Sequence, residues 1–464
     1  MKKTLALLIF YTLIICKIHA QNAPNAQNIE LSFNKPSKLL YTEGVNLWKY
    51  GSKGAGTITT SELSISLKKP EPFIAFSMAI EGLRIDAELV ETSILTKQDG
   101  AWAKEWLPVA HNHDADNSAI MMMTNMCELD KNTTAIKVRF NIKSNDIRLK
   151  KARIRLFAAG NISTGSTNNT LELRGVCALP PSVSRAVWGA QWSLANDKIY
   201  KGSPSYSAVT HLIVHHSASN NTSSNWAAVV ASYFDTHVNT NGWSDIGYNY
   251  LIAPDGSLFV GRGGGNNVVG AHMCGYNNNT MGVCLIGNFT TVEPTPQALD
   301  KLQQLLAWKA SESGIQPTSF STIKSYKGTM ENISGHRDGC APNYTECPGD
   351  LLYPKLPAIR QNVKTIIASC VTSAKDVLIL NDIKIFPNPN NGEFSIQIKN
   401  TESLAKSLII NVLNTQGQVI LNEKINNTQN EINENIYLKN PTKGIYILRI
   451  SDGEKYLSRK LIIL

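Results

Sequence analysis

Three styles of hydrophobic patterning divide this 464-residue chain. From about residue 36 to 178, apolar and polar residues alternate. Ser61 to Leu67, Ala135 to Ile142 and Arg153 to Phe157 each change side at every step, as half-buried antiparallel strands do. They predict a β-sandwich, preceded by a loose lead-in over 21–35 that is rich in Asn, Ala and Gln. Between 183 and 370 the periods are mixed. Thr210 to His215, Tyr248 to Ile252, Leu258 to Val260 and Met281 to Gly287 read as strands. Trp226, Val229, Val230, Tyr233 and Phe234 recur at helical spacing within Asn225 to His237. Thr295-Pro296 opens a second helix, with Leu299, Leu302, Leu305 and Leu306 on one face and Gly314 as its stop. Ala358 to Ala368 is a third. This predicts a mixed α/β domain whose helices cover a central sheet. After a connector over 371–382, Phe394 to Ile398, Leu408 to Val412 and Gly444 to Ile450 predict a small C-terminal β-sandwich. The fold class is therefore multidomain, divided as 1–20, 21–180, 183–370, 371–382 and 383–464.

Length supports this division, because so long a chain exceeds what one core holds. Formal charge is +9. No basic run is interleaved with aromatics, which argues against nucleic acid and leaves solubility or a polyanionic cell wall as its meaning. Lys2 and Lys3, the apolar run Leu5 to Cys16 and the ending Ile18-His19-Ala20 read as a secretory signal over 1–20. That run is shorter than the ~20 apolar residues of a spanning helix and no other such run occurs, so the mature chain is expected to have no transmembrane segment. Removing the signal removes Cys16 and leaves seven cysteines, an odd number that requires at least one free thiol. Cys347 as a metal ligand and Cys284 in a buried strand both suit that role. Pairing among Cys127, Cys177, Cys274, Cys340 and Cys370 stays open.

The candidate chemistry lies in Leu212-Ile213-Val214-His215-His216, Gly335-His336-Arg337-Asp338 and Thr345-Glu346-Cys347-Pro348-Gly349. Two histidines and a cysteine beside strand ends or turns suit Zn2+ held by three protein ligands, with a fourth position open to water. Tyr248, in Asp245-Ile246-Gly247-Tyr248-Asn249, either faces that metal or packs as a core tyrosine. No carboxylate general base is evident. In the N-terminal region, Trp102 and Trp106 are either a carbohydrate-stacking platform or sheet-packing tryptophans.

These motifs, in this order, resemble the zinc-dependent N-acetylmuramoyl-L-alanine amidases of the peptidoglycan-recognition and phage-lysozyme type. The resemblance covers about 180 residues. It implies His215, His336 and Cys347 as metal ligands, with His216 in a packing place. Tyr248 and Thr345 are implied as catalytic donors to a developing oxyanion. It also implies a glycopeptide cleft lined by His237, Gly242, Trp243, His272 and Asn277, the Gly242-Trp243 pair favouring stems with meso-diaminopimelate. Asp338 to Tyr344 lengthens the family's usual gap between the second histidine and the cysteine. Cys340 in that insertion either pairs with Cys274 or competes for the metal.

Phe386-Pro387-Asn388-Pro389, Asn414-Thr415-Gln416-Gly417-Gln418 and Lys443-Gly444-Ile445-Tyr446 resemble the C-terminal sorting domain of the type IX secretion system of Bacteroidetes. The combined expectation is an exported amidase, secreted or on the cell surface. Its partners would be peptidoglycan or muropeptides and the type IX secretion machinery. A recognition protein that binds without cutting, and a surface adhesin, are the alternatives; intact ligand residues favour the enzyme.

Overall fold

The computed structural model describes residues 25–48, 51–85, 88–112, 120–164, 177–323, 328–340, 345–372, 382–399, 407–414, 419–426, 431–439, 441–451 and 456–464. The secretory signal, most of the connector, Ala341 to Tyr344 and Thr415 to Gln418 lie outside them.

The alternating N-terminal segments build two antiparallel sheets. One orders β1 (Ala26–Ser32), β8 (Arg148–Phe157) and β4 (Phe73–Leu83). The other orders β6 (Leu107–Val109), β5 (Val90–Gln98), β7 (Thr133–Ile142), β3 (Gly56–Thr60) and β2 (Leu40–Glu43). Inward residues of both, such as Ile74, Phe76 and Ile154 against Ile58, Val138 and Phe140, form one core. The expected loose lead-in contains β1, which pairs with β8 from Ala26↔Phe157 to Ser32↔Lys151. Its alternation of Ile29, Leu31 and Phe33 with polar residues was hidden by the polar composition. Ser61 to Leu67, expected as a strand, is one only at Leu63–Ser64.

The central domain orders β11 (Leu258–Val260), β10 (Tyr250–Ile252), β12 (Thr280–Leu285), β9 (His211–His216) and β13 (Ile333–Gly335). β9 is parallel to both neighbours, β10 is parallel to β12, and β11 alone is antiparallel. Helices α2 (Pro296–Ser313) and α3 (Leu356–Thr372) cover one face, packing on Leu212, Val214 and Val283. Helix α1 (Trp226–Asp235) covers part of the other. Its N-cap, Asn225, accepts from Ala228 N at 2.9 Å. Every residue of α1 from Ala227 to Asp235 is buried, because the helix also receives the sandwich. Phe73, Ala75 and Phe157 of the sandwich share an apolar cluster with Phe234 and Trp188. Arg155 adds an ion pair to Asp235, with Nη2 2.7 Å from Oδ1, and the Ser77 and Thr240 hydroxyls meet at 2.7 Å.

The C-terminal domain is a third β unit: a three-stranded sheet and a four-stranded sheet over an apolar core that includes Ile396, Ile410 and Leu448. The chain is thus multidomain, with all-β sheets flanking a mixed sheet with helices. No helix among the described residues is long and apolar enough to cross a membrane.

Glu128, on the sandwich strand Cys127–Asp130, bonds to Asn220 of the central domain. Burial pushes its carboxyl up to about 7, a shift the Asn220 bond only partly offsets. A carboxyl raised in the folded state favours folding most below its ordinary pKa. That contribution falls as pH rises towards 7 and stays lost above it. Glu128→Gln should therefore stabilise the chain at pH 8 relative to wild type by on the order of 1–3 kcal/mol, with little effect at pH 4. Melting curves of both proteins at the two pH values measure this.

Candidate metal centre

The site starts from parallel pairing. In the β9–β13 register Val214 sits beside Gly335, so His215 and His336 come level. Their ring centroids lie 4.4 Å apart. Leu212 and Val214 pack against the α2–α3 layer, so His215 points to the opposite face of the sheet. The loop after β13 returns Cys347: Arg337 N donates to the Cys347 carbonyl at 3.0 Å. The His216 backbone N–H donates to Cys347 Sγ at 3.3 Å. Donor atoms of His215, His336 and Cys347 lie within 4.8 Å of one another, and all three residues are buried. Two imidazoles and a thiol so placed could hold a zinc ion.

A hydrogen-bond chain orients His215. Its Nε2 lies 3.0 Å from His272 Nδ1. His272 Nε2 lies 3.2 Å from the Thr280 hydroxyl, which donates to the Asn277 carbonyl at 2.7 Å. A carbonyl only accepts, so the protons order in one direction. Thr280 accepts from His272 Nε2–H, and His272 Nδ1 accepts from His215 Nε2–H. The lone pair of His215 is left on Nδ1, 3.7 Å from Cys347 Sγ. Gly282 on β12 makes room for this chain, since a Cβ there would meet the His272 ring at 2.5 Å.

Burial disfavours the cationic form of His215, His272 and His216. It pushes His215 well below the usual histidine range, helped by His336, His272 and His216. It lowers His272 to about 3, with His336 and Arg262 adding repulsion, and His216 to about 4, with His336 and Arg337 adding to it. His216 Nδ1 accepts from Phe289 N at 3.2 Å, a packing role.

Above the donors opens a cavity of about 340 Å³. Its central-domain wall includes His216, Tyr248, His336, Thr345 and Cys347. His111, Asn112 and Asn125 of the sandwich form the opposite side. Glu88 and Glu346 also line it, so carboxylates reach the cleft although the sequence motifs pointed to none. The Tyr248 ring lies 5.2 Å from that of His215. Thr345 accepts from Cys347 N at 3.2 Å through its hydroxyl, leaving the hydroxyl proton to be given elsewhere.

The loop carrying Tyr248 is fixed by a pair the sequence reading missed. Arg185 and Asp245 are both fully buried and bonded twice, at 3.0 and 2.9 Å. Asp245 also accepts from Tyr200 N and Ile246 N, at 2.9 and 2.7 Å. Asn249 then ties the loop to β12, accepting from Gly282 N at 2.9 Å. A buried arginine sixty positions from its partner gives no local signal; the charged Asp beside the Gly-Tyr-Asn motif was the only hint.

Other expected cleft residues lie elsewhere. None of His237, Gly242, Trp243, His272 and Asn277 lines this cavity. His237 and His272 are both buried, and a ring nitrogen of each is bonded to a neighbouring group. His237 sits in a π-helical turn after α1 and accepts from Gly247 N at 3.0 Å. Burial lowers it to about 3, so it is not a cation on the helix dipole. Asn277 accepts from His272 N and Met273 N, which shapes the loop. Gly242 is exposed in a left-handed conformation, φ +77°, that itself favours glycine. Trp243 is half-buried, 4.7 Å from the His237 ring. Cys274 and Cys340 are joined in a disulfide, as are Cys177 and Cys370. Cys340 therefore offers no competing thiolate, and Cys127, Cys284 and Cys347 are outside any disulfide. Lys137 lies over the Trp102 ring at 4.6 Å and Arg139 over Trp106 at 3.8 Å, which takes a face of each from sugar stacking.

With this geometry, comparison with known proteins is specific. Residues 205–350 match the family model described as N-acetylmuramoyl-L-alanine amidase. Residues 384–464 match that of the secretion system C-terminal sorting domain. Peptidoglycan-recognition protein SC1a of Drosophila melanogaster is 31% identical over 179 residues, 38% of this chain and 83% of that protein. Peptidoglycan-recognition protein LB of the same fly is 31% identical over 177 residues, 38% of this chain and 66% of that protein. Human N-acetylmuramoyl-L-alanine amidase is 34% identical over 130 residues, 28% of this chain but only 20% of that protein. The chain belongs to the type 2 amidase and peptidoglycan-recognition family. Its C-terminal sorting domain marks it for type IX secretion to the cell surface or exterior.

Asp245→Asn would leave the Arg185 guanidinium buried without its counter-charge. It should cost about 3–5 kcal/mol of stability, read as a lower urea midpoint.

Proposed function

We propose that the central domain is a zinc amidase that hydrolyses the bond between N-acetylmuramic acid and L-alanine in peptidoglycan. The observation that carries this is the convergence of His215, His336 and Cys347 within 4.8 Å beneath an open cavity. The donor set fits the metal: burial holds His215 neutral, the His272 chain aims its Nδ1 inward, and Cys347 is outside any disulfide. Zinc, when bound, supplies Lewis acidity that polarises a carbonyl and makes water acidic near neutral pH.

The chain's own groups do the rest. Tyr248, on the cavity wall, donates its hydroxyl proton to the carbonyl oxygen as that atom gains charge. Thr345 donates to the same oxygen, its own oxygen being held by Cys347 N. Gly242 and Trp243 lie outside that cavity's wall; the family resemblance gives them the stem peptide, glycine leaving room for an extra carboxylate and tryptophan contacting the methylene stem. This favours meso-diaminopimelate over lysine. We read 21–180, 183–370 and 383–464 as the domain division, the last being an export address rather than part of the catalyst. Binding without cleavage is the second reading, because two of the relatives are named for recognition.

Mass spectrometry of products from zinc-loaded protein on defined muropeptides separates the two. Cleavage at the muramyl amide is expected, faster on stems with diaminopimelate; intact muropeptides would reject the enzyme. Cys347→Ser should lose zinc and activity with its circular dichroism unchanged. Tyr248→Phe should keep zinc and lose roughly 10²-fold in rate, and Thr345→Val should lose less. Wild-type activity of Tyr248→Phe would make that tyrosine structural.

Removing 384–464 should leave the cleavage rate of purified protein unchanged and stop release from the native cell. Undiminished export of the truncated chain would overturn the address reading.

A further inference from the structure

The outer face of the sheet β6–β5–β7–β3–β2 carries two aligned rows of side chains. Pairing places Pro108 beside Ser93, Ser93 beside Arg139, and Arg139 beside Thr59. The next row runs Glu91, Asn141, Thr57 and Glu43 by the same registers. Ile58 and Phe140 between the rows, and Val138 and Ile94 beyond the first row, point into the core. Both rows line a cavity of about 1000 Å³, closed on its far side by Ala218, Ser219, Asn220 and Asn288 of the central domain. That is the upper end of the size range for ligand sites. This cavity and the smaller one above the metal-ligand candidates share Ala110, His111, Asn125, Ala218 and Asn288 in their walls. The two therefore meet, and the sandwich borders both.

The lining has a definite chemistry. Hydroxyls and amides dominate, and these both donate and accept. Arg139 is the only lysine or arginine among the described lining residues, and its guanidinium lies over Trp106. Glu43 and Glu91 bring two carboxylates, Glu91 being held by Lys143 and Asn141. With Glu91 paired to Lys143, the face has no surplus of positive charge to hold an acidic stem peptide. An uncharged chain of hydroxyl and acetamido groups would find partners along the whole face.

We propose that this face is a carbohydrate subsite, holding the glycan strand beside the muramyl residue whose amide is cut. The inference rests on the amidase reading of the central domain and extends the cleft onto the N-terminal sandwich. The docking of the sandwich on α1, through Phe73, Phe157 and the Arg155–Asp235 pair, fixes the spacing between the subsite and the cut bond.

Two measurements on the full mature chain test it. The first compares kcat/KM on glycan strands bearing stems with that on a single N-acetylmuramoyl peptide with the same stem. Wild type should favour the strand by about tenfold. Thr59→Trp and Ser93→Trp, two separate ways of filling the floor, should each bring that ratio towards one. A wild-type ratio near one, or folded variants that keep the wild-type ratio, would overturn the subsite. The second measures binding of N-acetylglucosamine oligomers to metal-free protein by calorimetry. Saturable binding in wild type, lost in Thr59→Trp, is expected; no binding in wild type would overturn the subsite even if short muropeptides are cut. Oligomer binding without cleavage of any muropeptide would instead remove the amidase reading and leave the subsite standing.

Discussion

A single backbone carbonyl, that of Asn277, sets the proton order on which the centre depends. It can only accept, so Thr280, His272 and His215 must each donate in its direction. The other nitrogen of His215 is thereby left with its lone pair towards Cys347. Low pKa values and a fixed tautomer are separate requirements for an imidazole ligand. Here one buried environment meets both, because the groups that exclude water from His215 are also those that bond it. Gly282 belongs to the same device, since only a residue without a side chain lets His272 lie against β12.

The sheet brings these parts together with little freedom. Parallel pairing on both sides of β9 fixes His215 level with His336 and with Cys284. The Tyr248 loop, by contrast, precedes its strand and has only a short ladder to hold it. Its order comes from the buried Arg185–Asp245 pair, with Arg185 also donating to the carbonyls of Ala195 and Gly261. Such a pair adds little net stability over an apolar replacement, but it allows few alternative arrangements. Holding one loop in one place is a fitting use for it.

Much of this was readable from residue order. The strand containing His215, the helix of Trp226, Val229, Val230, Tyr233 and Phe234, and the long helix ending before Gly314 appear where periodicity put them, within a residue or two. The ligand candidates were readable because each sits beside a strand end or turn with its own signature. What failed was whatever depended on distant partners. β1 was missed because its polar residues outnumber its apolar ones, and its identity comes from β8. The inward bonds of the His237 and His272 rings had no signal either, because motif position carries no information on which way a ring turns. Arg185, His111 and Asn125 gave no signal, because their roles arise only when segments far apart in sequence dock. The cysteine count required a free thiol but was silent on partners, which depend on the fold.

The Cys177–Cys370 bond joins residues 193 positions apart and encloses the whole matched amidase segment. A pull along the chain between the sandwich and the C-terminal domain would reach Cys177 at one end and Cys370 at the other. That load has a covalent route from Cys177 straight to Cys370. The central sheet, its parallel strands and the donors at their ends all lie between the two bridged cysteines. Such a pull would meet the cross-link before it could draw those strands apart along the chain.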